Sequence, residues 1–219
     1  MLGDKLIIGP HHTGRAAEIC DLLAERIQNR FVITVAGESG AGKSELAYEI
    51  YRQWDKRGIQ AEVLQQDDYF VFPPRTNHEM RRRNLEQVGP YEVKLDFLDS
   101  NLRSFKRGDS PIFKPLVIYD EDRISWEEMD VAALDVLIAE GTYTSLLQFA
   151  DLRVFIDRDY RQTLEARKRR ARDKFEPFVV DVLEREHQII TQHKARADVI
   201  IPADFGSVIV QRPFARQAL

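Results

Sequence analysis

Five short runs of mainly apolar, β-branched residues predict the strands of a sheet. They lie at residues 31–36, 61–65, 135–141, 152–157 and 197–202. Between several of them, apolar residues recur every three or four positions, the spacing that places side chains on one face of a helix. Strands that alternate with such helices predict an α/β fold in which a mainly parallel sheet is covered on both faces.

Three stretches carry the helical spacing most clearly. Their apolar positions are Ile19, Leu22, Leu23 and Ile27 before the first strand; Leu46, Ala47, Ile50, Tyr51 and Trp54 after it; and Leu95, Leu98, Leu102 and Phe105 farther along. Thr13 is the predicted N-cap of the first helix, and Gly58 and Gly108 are predicted to end the other two. We therefore expect an N-terminal arm and helix, residues 1–30, packed on a main domain of residues 31–219.

Two segments have no clear period. Residues 71–92 contain Pro73-Pro74, the run Arg81-Arg82-Arg83 and Gly89-Pro90, so we expect a loop that forms a flap over an acceptor molecule. Its arginines would either bind a phosphorylated substrate or remain a solvated charge run. Residues 112–130 are expected to be irregular or to form a short hairpin.

The eight residues after the first strand fit the phosphate-binding pattern G-x-x-x-x-G-K-[ST] in full. They are Gly37, Glu38, Ser39, Gly40, Ala41, Gly42, Lys43 and Ser44. Glycines let successive backbone N–H groups turn toward one anion, and a helix that begins near Lys43 adds its positive N-terminus. Lys43 would reach the β- and γ-phosphates of a nucleoside triphosphate, and the Ser44 hydroxyl would bind Mg²⁺.

Acidic residues stand at the ends of two further strands. Asp67 and Asp68 follow the strand at 61–65, and Glu140 lies at the end of the strand at 135–141. Ligands of open parallel sheets bind at the carboxyl ends of the strands, so these acids are well placed for chemistry. A carboxylate beside a phosphate loop holds Mg²⁺ directly or through water. The alternative for Asp67 and Asp68 is that they cap a turn.

The densest basic stretch of the chain spans residues 161–174 and includes the run 167–172. Three interpretations are open: a nucleic-acid contact, a solvated helix face, and a lid whose arginines close over a triphosphate. Bidentate arginine contacts to phosphate oxygens suit the lid. The absence of interleaved aromatic residues disfavours nucleic acid.

Composition narrows the classes further. The net charge is −4 over 219 residues, which argues against nucleic acid or an anionic membrane as the main partner. Cys20 is the only cysteine, so it is expected to be a small packing residue in a chain of the reducing cytoplasm. No apolar stretch has transmembrane length. His11 and His12 are expected in a solvated loop rather than at a metal, because no carboxylate or cysteine stands at ligand spacing.

Together these segments resemble the uridine kinase/phosphoribulokinase family of phosphate-loop kinases over residues 31–202. The resemblance is carried by the phosphate loop, the segment Val63 to Phe70, Glu140-Gly141, Phe155-Ile156-Asp157 before the basic stretch, and Ala197 to Pro202. It implies a three-layer P-loop NTPase fold of the nucleoside-kinase type, with an acceptor flap at about 71–92 and a helical lid at about 161–178. It also implies ATP and Mg²⁺ as cofactors and the hydroxyl group of a small metabolite as the acceptor.

The resemblance assigns roles to residues of this chain. Asp67 would accept the proton of the acceptor hydroxyl. The full set is Asp67, Lys43, Arg167 and Arg170 for catalysis; residues 37–44 and Arg172 for the nucleotide; Asp67, Tyr69, Tyr119, Asp120, Arg123 and Glu140 for the acceptor; and Ser44, Glu140 and Asp67 for Mg²⁺. The oligomeric state stays open, and a homo-oligomer is one outcome.

The chain departs from the family pattern at three places. No histidine follows the pair Tyr119-Asp120, Asp68 replaces a small residue, and Phe175 to Phe178 replace an Arg-Gly-Arg ending of the lid. With these differences, the resemblance implies phosphoryl transfer but does not imply that uridine is the acceptor. The alternative function is a P-loop ATPase or a nucleotide-dependent switch that acts on a partner protein, although the Asn-Lys-x-Asp motif of GTPases does not occur.

Overall fold

The computed structural model of the protein describes residues 6–27, 30–164 and 177–212, and a six-stranded sheet lies at its centre. The strands of the chain are β1 (Phe31–Gly37), β2 (Ala61–Gln65), β3 (Ile112–Ile118), β4 (Arg123–Met129), β5 (Val136–Glu140), β6 (Leu152–Asp157), β7 (Val199–Pro202) and β8 (Ile209–Val210). The central sheet has the order β2-β5-β1-β6-β7-β8. Its first five strands run parallel and β8 is antiparallel to β7. The five predicted strands are therefore confirmed.

Helices cover the sheet on both faces. They are α1 (Pro10–Leu23), α2 (Lys43–Asp55), α3 (Pro74–Arg83), α4 (Leu95–Arg107) and α5 (Pro177–Ile190). Ile33 and Val35 of β1 pack with α1 and α2 in one core cluster, and Val32 and Ala36 pack with α4 in a second cluster. Alternate residues of one strand thus reach opposite cores, which gives the three layers that the sequence predicts.

The first helix begins earlier than expected. Pro10 occupies its first turn and Gly9 is its N-cap, so the prediction of Thr13 as N-cap is wrong. Proline fits this position because the first N–H groups of a helix have no partner within the helix. The change places His11 and His12 in a helical turn instead of a loop, and His12 is only 6% exposed. Cys20 is completely buried against α2, as predicted for a packing residue.

Residues 74–83 form helix α3, where the sequence predicted a loop. The helix has almost no apolar stripe, and its N-terminus is satisfied from a distant part of the chain. The Asp122 carboxylate accepts hydrogen bonds from the backbone N–H groups of Arg75, at 2.6 Å, and Thr76, at 3.2 Å. A cap that comes from 46 or 47 residues away leaves no local signature in the sequence.

Residues 112–129 form a regular antiparallel hairpin of seven paired positions, from Ile112 opposite Met129 to Ile118 opposite Arg123. Its turn carries Asp122 and so rests on the first turn of α3. Helix α5 and the edge strand β8 were not predicted. Most of the predicted lid, including Arg167, Arg170 and Arg172, lies outside the described residues.

Candidate active site

The phosphate loop connects β1 to α2 at the carboxyl end of the sheet. Gly42, the N-cap of α2, has a φ of 102°, a conformation that L side chains rarely adopt. A Cβ at Gly42 would also lie 2.9 Å from Nε2 of His12, so the loop and α1 fit closely. Helix α2 begins at Lys43, as predicted, and directs its N-terminus at the loop. This end of the helix suits an anion.

Parallel pairing brings Glu140 to the loop. Val35 of β1 and Glu140 of β5 are register partners, and the Ser44 hydroxyl donates a hydrogen bond to Oε1 of Glu140 at 3.2 Å. Glu140 is 5% exposed. Burial and the nearby charge of Asp67 raise the pKa of Glu140 to about 7, against the opposing effects of Lys43 and Ser44.

Asp67 reaches the same region from β2, whose last residue Gln65 is the register partner of Glu140. The Asp67 side chain is exposed to solvent, and partial loss of hydration beside the surrounding protein raises its pKa. The charge of Lys43 opposes this shift and that of Asp68 adds to it. The structure therefore brings Asp67, Glu140, Lys43 and Ser44 together at one edge of the sheet.

The neighbouring acid Asp68 turns away from this site. It is 2% exposed, and its carboxylate accepts hydrogen bonds from the Val117 N–H at 2.9 Å and from Nζ of Lys114 at 3.1 Å. Asp68 therefore fixes the hairpin β3–β4 to the end of β2. The two adjacent acids have separate structural positions, one in the cleft and one beneath the hairpin.

Glu38, the second residue of the phosphate loop, links the loop to α5. Its carboxylate accepts a hydrogen bond from the Tyr160 N–H at 2.7 Å, and Nδ1 of His187 lies 2.6 Å from its Oε1. Burial raises the pKa of Glu38, and the His187 contact opposes this. Sequence reasoning did not find His187, because nothing along the chain indicates a contact across 149 positions.

The other four residues expected on the acceptor side occupy two further places. Tyr69 is completely buried, and its hydroxyl accepts a hydrogen bond from Asn101 at 2.8 Å, so its ring belongs to the core. Tyr119, Asp120 and Arg123 lie at the turn of the β3–β4 hairpin, where the Asp120 carbonyl accepts from Arg75. Arg123 forms an exposed ion pair of 2.8 Å with Glu121.

Arg81 also differs from its expected state. Its guanidinium donates to both carboxylate oxygens of Glu92, at 2.5 and 2.8 Å, and lies 3.2 Å from Glu186 of α5. It is thus neither a solvated charge nor an uncompensated one. Its partner Glu92 stands between Pro90-Tyr91 and Val93 in the sequence. Nothing in that segment indicates that this glutamate binds Arg81.

Among residues 6–27, 30–164 and 177–212, no three or more His, Cys, Asp or Glu side chains form a group that could hold a metal ion. In the same ranges, every helix is too short or too polar to cross a bilayer.

The parallel sheet has a phosphate loop after β1, and Glu140 of the adjacent strand β5 contacts Ser44 of that loop. This combination defines a P-loop kinase fold. A solved structure described as a possible uridine kinase from Bacillus stearothermophilus has this fold. It aligns with 85% of this chain and 97% of its own, with a TM-score of 0.62 and 21% sequence identity.

The particular family follows from the sequence match. The Phosphoribulokinase / Uridine kinase family matches residues 32–203, and the chain belongs to this family. A uridine kinase of Leuconostoc citreum is 26% identical over 200 residues, 85% of this chain and 94% of that protein. A bifunctional alpha-galactosidase/sucrose kinase of Mediterraneibacter gnavus is 32% identical over 206 residues, 88% of this chain. The match spans only 22% of that longer protein.

The family assignment agrees with the site. The protein is a small-metabolite kinase, a phosphotransferase with an alcohol group as acceptor.

Proposed function

We propose that the protein transfers the γ-phosphoryl group of ATP, in the presence of Mg²⁺, to a hydroxyl of a small metabolite such as a nucleoside, a sugar or a related alcohol. The observation that carries the proposal is the Ser44–Glu140 hydrogen bond of 3.2 Å, with Asp67 close enough to raise the pKa of Glu140. The loop serine Ser44, the candidate metal-binding acid Glu140 and the candidate base Asp67 would then act in one cleft.

The phosphate loop supplies the donor side. Backbone N–H groups of residues 37–44 and the N-terminus of α2 would surround the phosphates. The Lys43 ammonium donates to the Glu38 carbonyl at 3.0 Å, so it lies folded over the loop, where a phosphate oxygen would compete for it. Arg167, Arg170 and Arg172 remain the proposed lid contacts to the triphosphate.

The residues present fit a magnesium ion. Ser44 and Glu140 offer hard oxygen ligands, which Mg²⁺ prefers. The pKa values of both Asp67 and Glu140 are raised, chiefly by burial, and the like charge of Asp67 adds to the shift of Glu140. A divalent cation would relieve this repulsion, and when bound it would neutralise charge on the phosphoryl group.

Asp67 would act on the acceptor. Its carboxylate is open to the cleft and would accept the proton of the attacking hydroxyl as the oxygen bonds to phosphorus. Lys43, which lowers the pKa of Asp67, would favour its charged form and counter charge on the phosphates. Because the transition state of phosphoryl transfer is loose, the main contributions would be positioning and charge compensation.

The relatives limit the acceptor to a set of hydroxyl compounds. One relative is a uridine kinase, and another combines an alpha-galactosidase with a sucrose kinase. The phosphate loop of this chain fits the kinase activity and not the galactosidase activity. We propose that Tyr119, Asp120 and Arg123 at the hairpin turn face this acceptor side, with Tyr69 behind it in the core.

The test is ADP release from ATP and Mg²⁺ with a panel of nucleosides, sugars, polyols and pantothenate-like alcohols. At least one acceptor should stimulate release about tenfold or more and yield a product carrying one added phosphoryl group. Lys43→Ala should abolish the stimulation. Hydrolysis at the full rate without any acceptor would contradict the kinase proposal and support an ATPase or switch.

A further inference from the structure

The outer edge of the β3–β4 hairpin is open. Within the described ranges, β4 pairs with β3 alone, and no backbone hydrogen bond joins β4 to another element. An open edge presents N–H and C=O groups that can pair with a further strand. This edge runs along the seven residues of β4, whereas the edge strand β8 has two. It is therefore the longer candidate for an interface between strands.

The contacts of β3 show which residues of β4 face this edge. The Val117 N–H donates to Asp68 at 2.9 Å, and the Phe113 carbonyl accepts from Asn101 at 3.0 Å. Val117 and Phe113 thus direct their backbone groups away from β4, so their pairs with β4 are the non-hydrogen-bonded ones of the antiparallel ladder. The residues of β4 in these alternate pairs direct their own N–H and C=O groups to the open edge. They are Ile124, Trp126 and Glu128.

Apolar surface accompanies the open edge. Trp126 and Phe113 are 59% and 54% exposed, and both lie on the same face of the hairpin as Ile124. The Trp126 ring contacts Phe97 of α4, with ring centroids 5.7 Å apart. An indole that stays more than half exposed beside unpaired backbone groups is a feature of interaction surfaces, where tryptophan is enriched.

Negative charge is in excess on the other face of the hairpin. A surface cavity of about 350 Å³ between β2 and the hairpin is lined by the carboxylates of Glu62, Asp68, Glu127 and Glu128 and by the ammonium of Lys114. Nζ of Lys114 contacts Asp68 at 3.1 Å and Glu127 at 2.5 Å, so one cation serves two acids. The Glu127 side chain is 39% exposed and can accept a second cation from outside.

Arg123, the first residue of β4, is a cation that can be redirected. Its guanidinium contacts Glu121 at 2.8 Å, and both side chains are more than half exposed. Such an exposed ion pair contributes little, so its exchange for another carboxylate costs little. Arg123 and Glu127 lie on one face of the hairpin, two positions to either side of Ser125. A two-fold axis at Ser125 would place each arginine opposite the glutamate of a second copy.

We propose that two copies of the chain pair their β4 strands antiparallel about an axis at Ser125, so that the two hairpins form one continuous sheet. Ile124 of each copy exchanges both backbone hydrogen bonds with Trp126 of the partner subunit and covers its indole. Arg123 of each copy pairs with Glu127 of the partner subunit. The interface is isologous, as in a C2 dimer. This pairing goes beyond the proposed kinase function and does not depend on it.

Self-complementarity identifies the occupant as a second copy. In this register, an apolar side chain meets an aromatic one and a cation meets an acid, twice each by symmetry. The alternative axes that keep the outward backbone groups paired do less. An axis at Trp126 places Arg123 opposite Met129, and an axis at Glu127 places two glutamates opposite each other. Charge therefore selects the axis at Ser125.

Ser125→Cys tests the axis. The two Ser125 residues would face each other in a non-hydrogen-bonded pair, with Cα atoms about 4.5 Å apart, a distance that a disulfide can span. Mild oxidation should convert most of this variant to a covalent dimer on a non-reducing gel. Cys20 is completely buried, so the unmodified protein should give little background. Glu128→Cys, at an exposed position of the same strand, is the matched control, because its two copies would lie about 20 Å apart.

Arg123→Glu tests the charge pairing. In analytical ultracentrifugation, the mean mass of the unmodified protein should rise from one chain toward two as its concentration increases from about 1 to 100 µM. Arg123→Glu places like charges opposite each other and should raise the Kd of the dimer by about tenfold or more. Arg103→Glu, the same reversal on an exposed residue of α4, should leave the Kd unchanged. Circular dichroism establishes that each variant is folded, and Trp126→Ser is a second variant that should weaken the dimer.

Two outcomes would overturn the pairing. The first is a protein that stays monomeric at every concentration while Ser125→Cys is linked no more than Glu128→Cys, as expected if the edge receives a strand of another protein. The second is a dimer that Arg123→Glu leaves intact and Ser125→Cys does not link, because the copies then meet at another surface. Mass and cross-linking are measured without substrates, so failure of the kinase proposal in the ADP-release assay would leave both results standing.

Discussion

The Ser44 hydroxyl donates a hydrogen bond to the Glu140 carboxylate at 3.2 Å, although the two residues are 96 positions apart in the chain. The contact exists because β1 and β5 are adjacent and parallel. The first turn of α2, which follows β1, therefore lies beside Glu140, the last residue of β5. Glu140 is buried, and burial together with the nearby charge of Asp67 raises its pKa to about 7, although the hydrogen bond from Ser44 opposes this shift.

The pH dependence of stability should reveal this buried acid. With its pKa raised from 4.5 to about 7, Glu140 binds a proton in the native state over a range in which the unfolded chain has lost it. The contribution is fully present below about pH 4.5 and is lost as the pH rises through about 7. The free energy of unfolding should therefore fall by about 3 kcal/mol across this range.

Chemical denaturation at several pH values, without nucleotide or Mg²⁺, measures this fall. Glu140→Gln should make this fall smaller, because glutamine does not titrate, while Asp67 and Glu38, whose pKa values are also raised, keep their own contributions. Glu86→Gln, on an exposed glutamate, is the control and should keep the slope. An equal slope in the Glu140 variant would contradict the assigned shift.

Adjacent substitutions at Asp67 and Asp68 should have different effects. Asp67→Asn should lower kcat by about 10²- to 10⁴-fold with ATP binding nearly unchanged, because the proton acceptor is lost. Asp68→Asn should instead lower stability by about 1–3 kcal/mol, because the buried Lys114 loses part of its charge compensation. Steady-state kinetics together with denaturation curves separate the two. Full turnover in the Asp67 variant would refute its role as base.

The contact between Glu38 and His187 should affect nucleotide binding. Glu38→Gln removes the charge that faces His187 at 2.6 Å and loosens the phosphate loop from α5, so the KM for ATP should rise severalfold. His187→Ala should have a similar effect, and the double variant should lose little more than either single one. Gln188→Ala, on an exposed residue of the same helix, is the control. Additive losses would show that the two side chains act independently.

The cap of α3 should have a measurable effect on stability. Asp122→Ala removes hydrogen bonds to the Arg75 and Thr76 N–H groups and to the Thr76 hydroxyl, and should cost about 1 kcal/mol. Asp120, two residues away, contacts Arg75 through its backbone carbonyl and not through its side chain. Asp120→Ala keeps this contact and should have little effect on the same denaturation curve. Equal effects of the two would argue against capping by Asp122.

The predicted elements have their signals within their own segments, whereas the missed elements depend on other features, such as contacts with residues far along the chain. The strands of the parallel sheet and helices α2 and α4 have apolar periodicity, glycine stops or both within their own segments. Helix α3 has little apolar surface and is capped by Asp122, so no local pattern could predict it. The start of α1 was misplaced at Thr13, because Thr is a common N-cap, whereas Pro10 fits the first turn of the helix that Gly9 caps.

The sequence by itself determined the phosphate loop, the alternation of strands and helices, and the acids at the ends of β2 and β5. These features depend on residue type and spacing within short segments, which the chain displays directly. The tertiary structure alone decided that Asp67 enters the cleft while Asp68 supports the hairpin, that His187 meets Glu38, and that Arg81 is matched by Glu92 and Glu186. Those contacts arise when segments far apart in the chain are packed together, and their energies depend on burial and on distances that no local pattern contains.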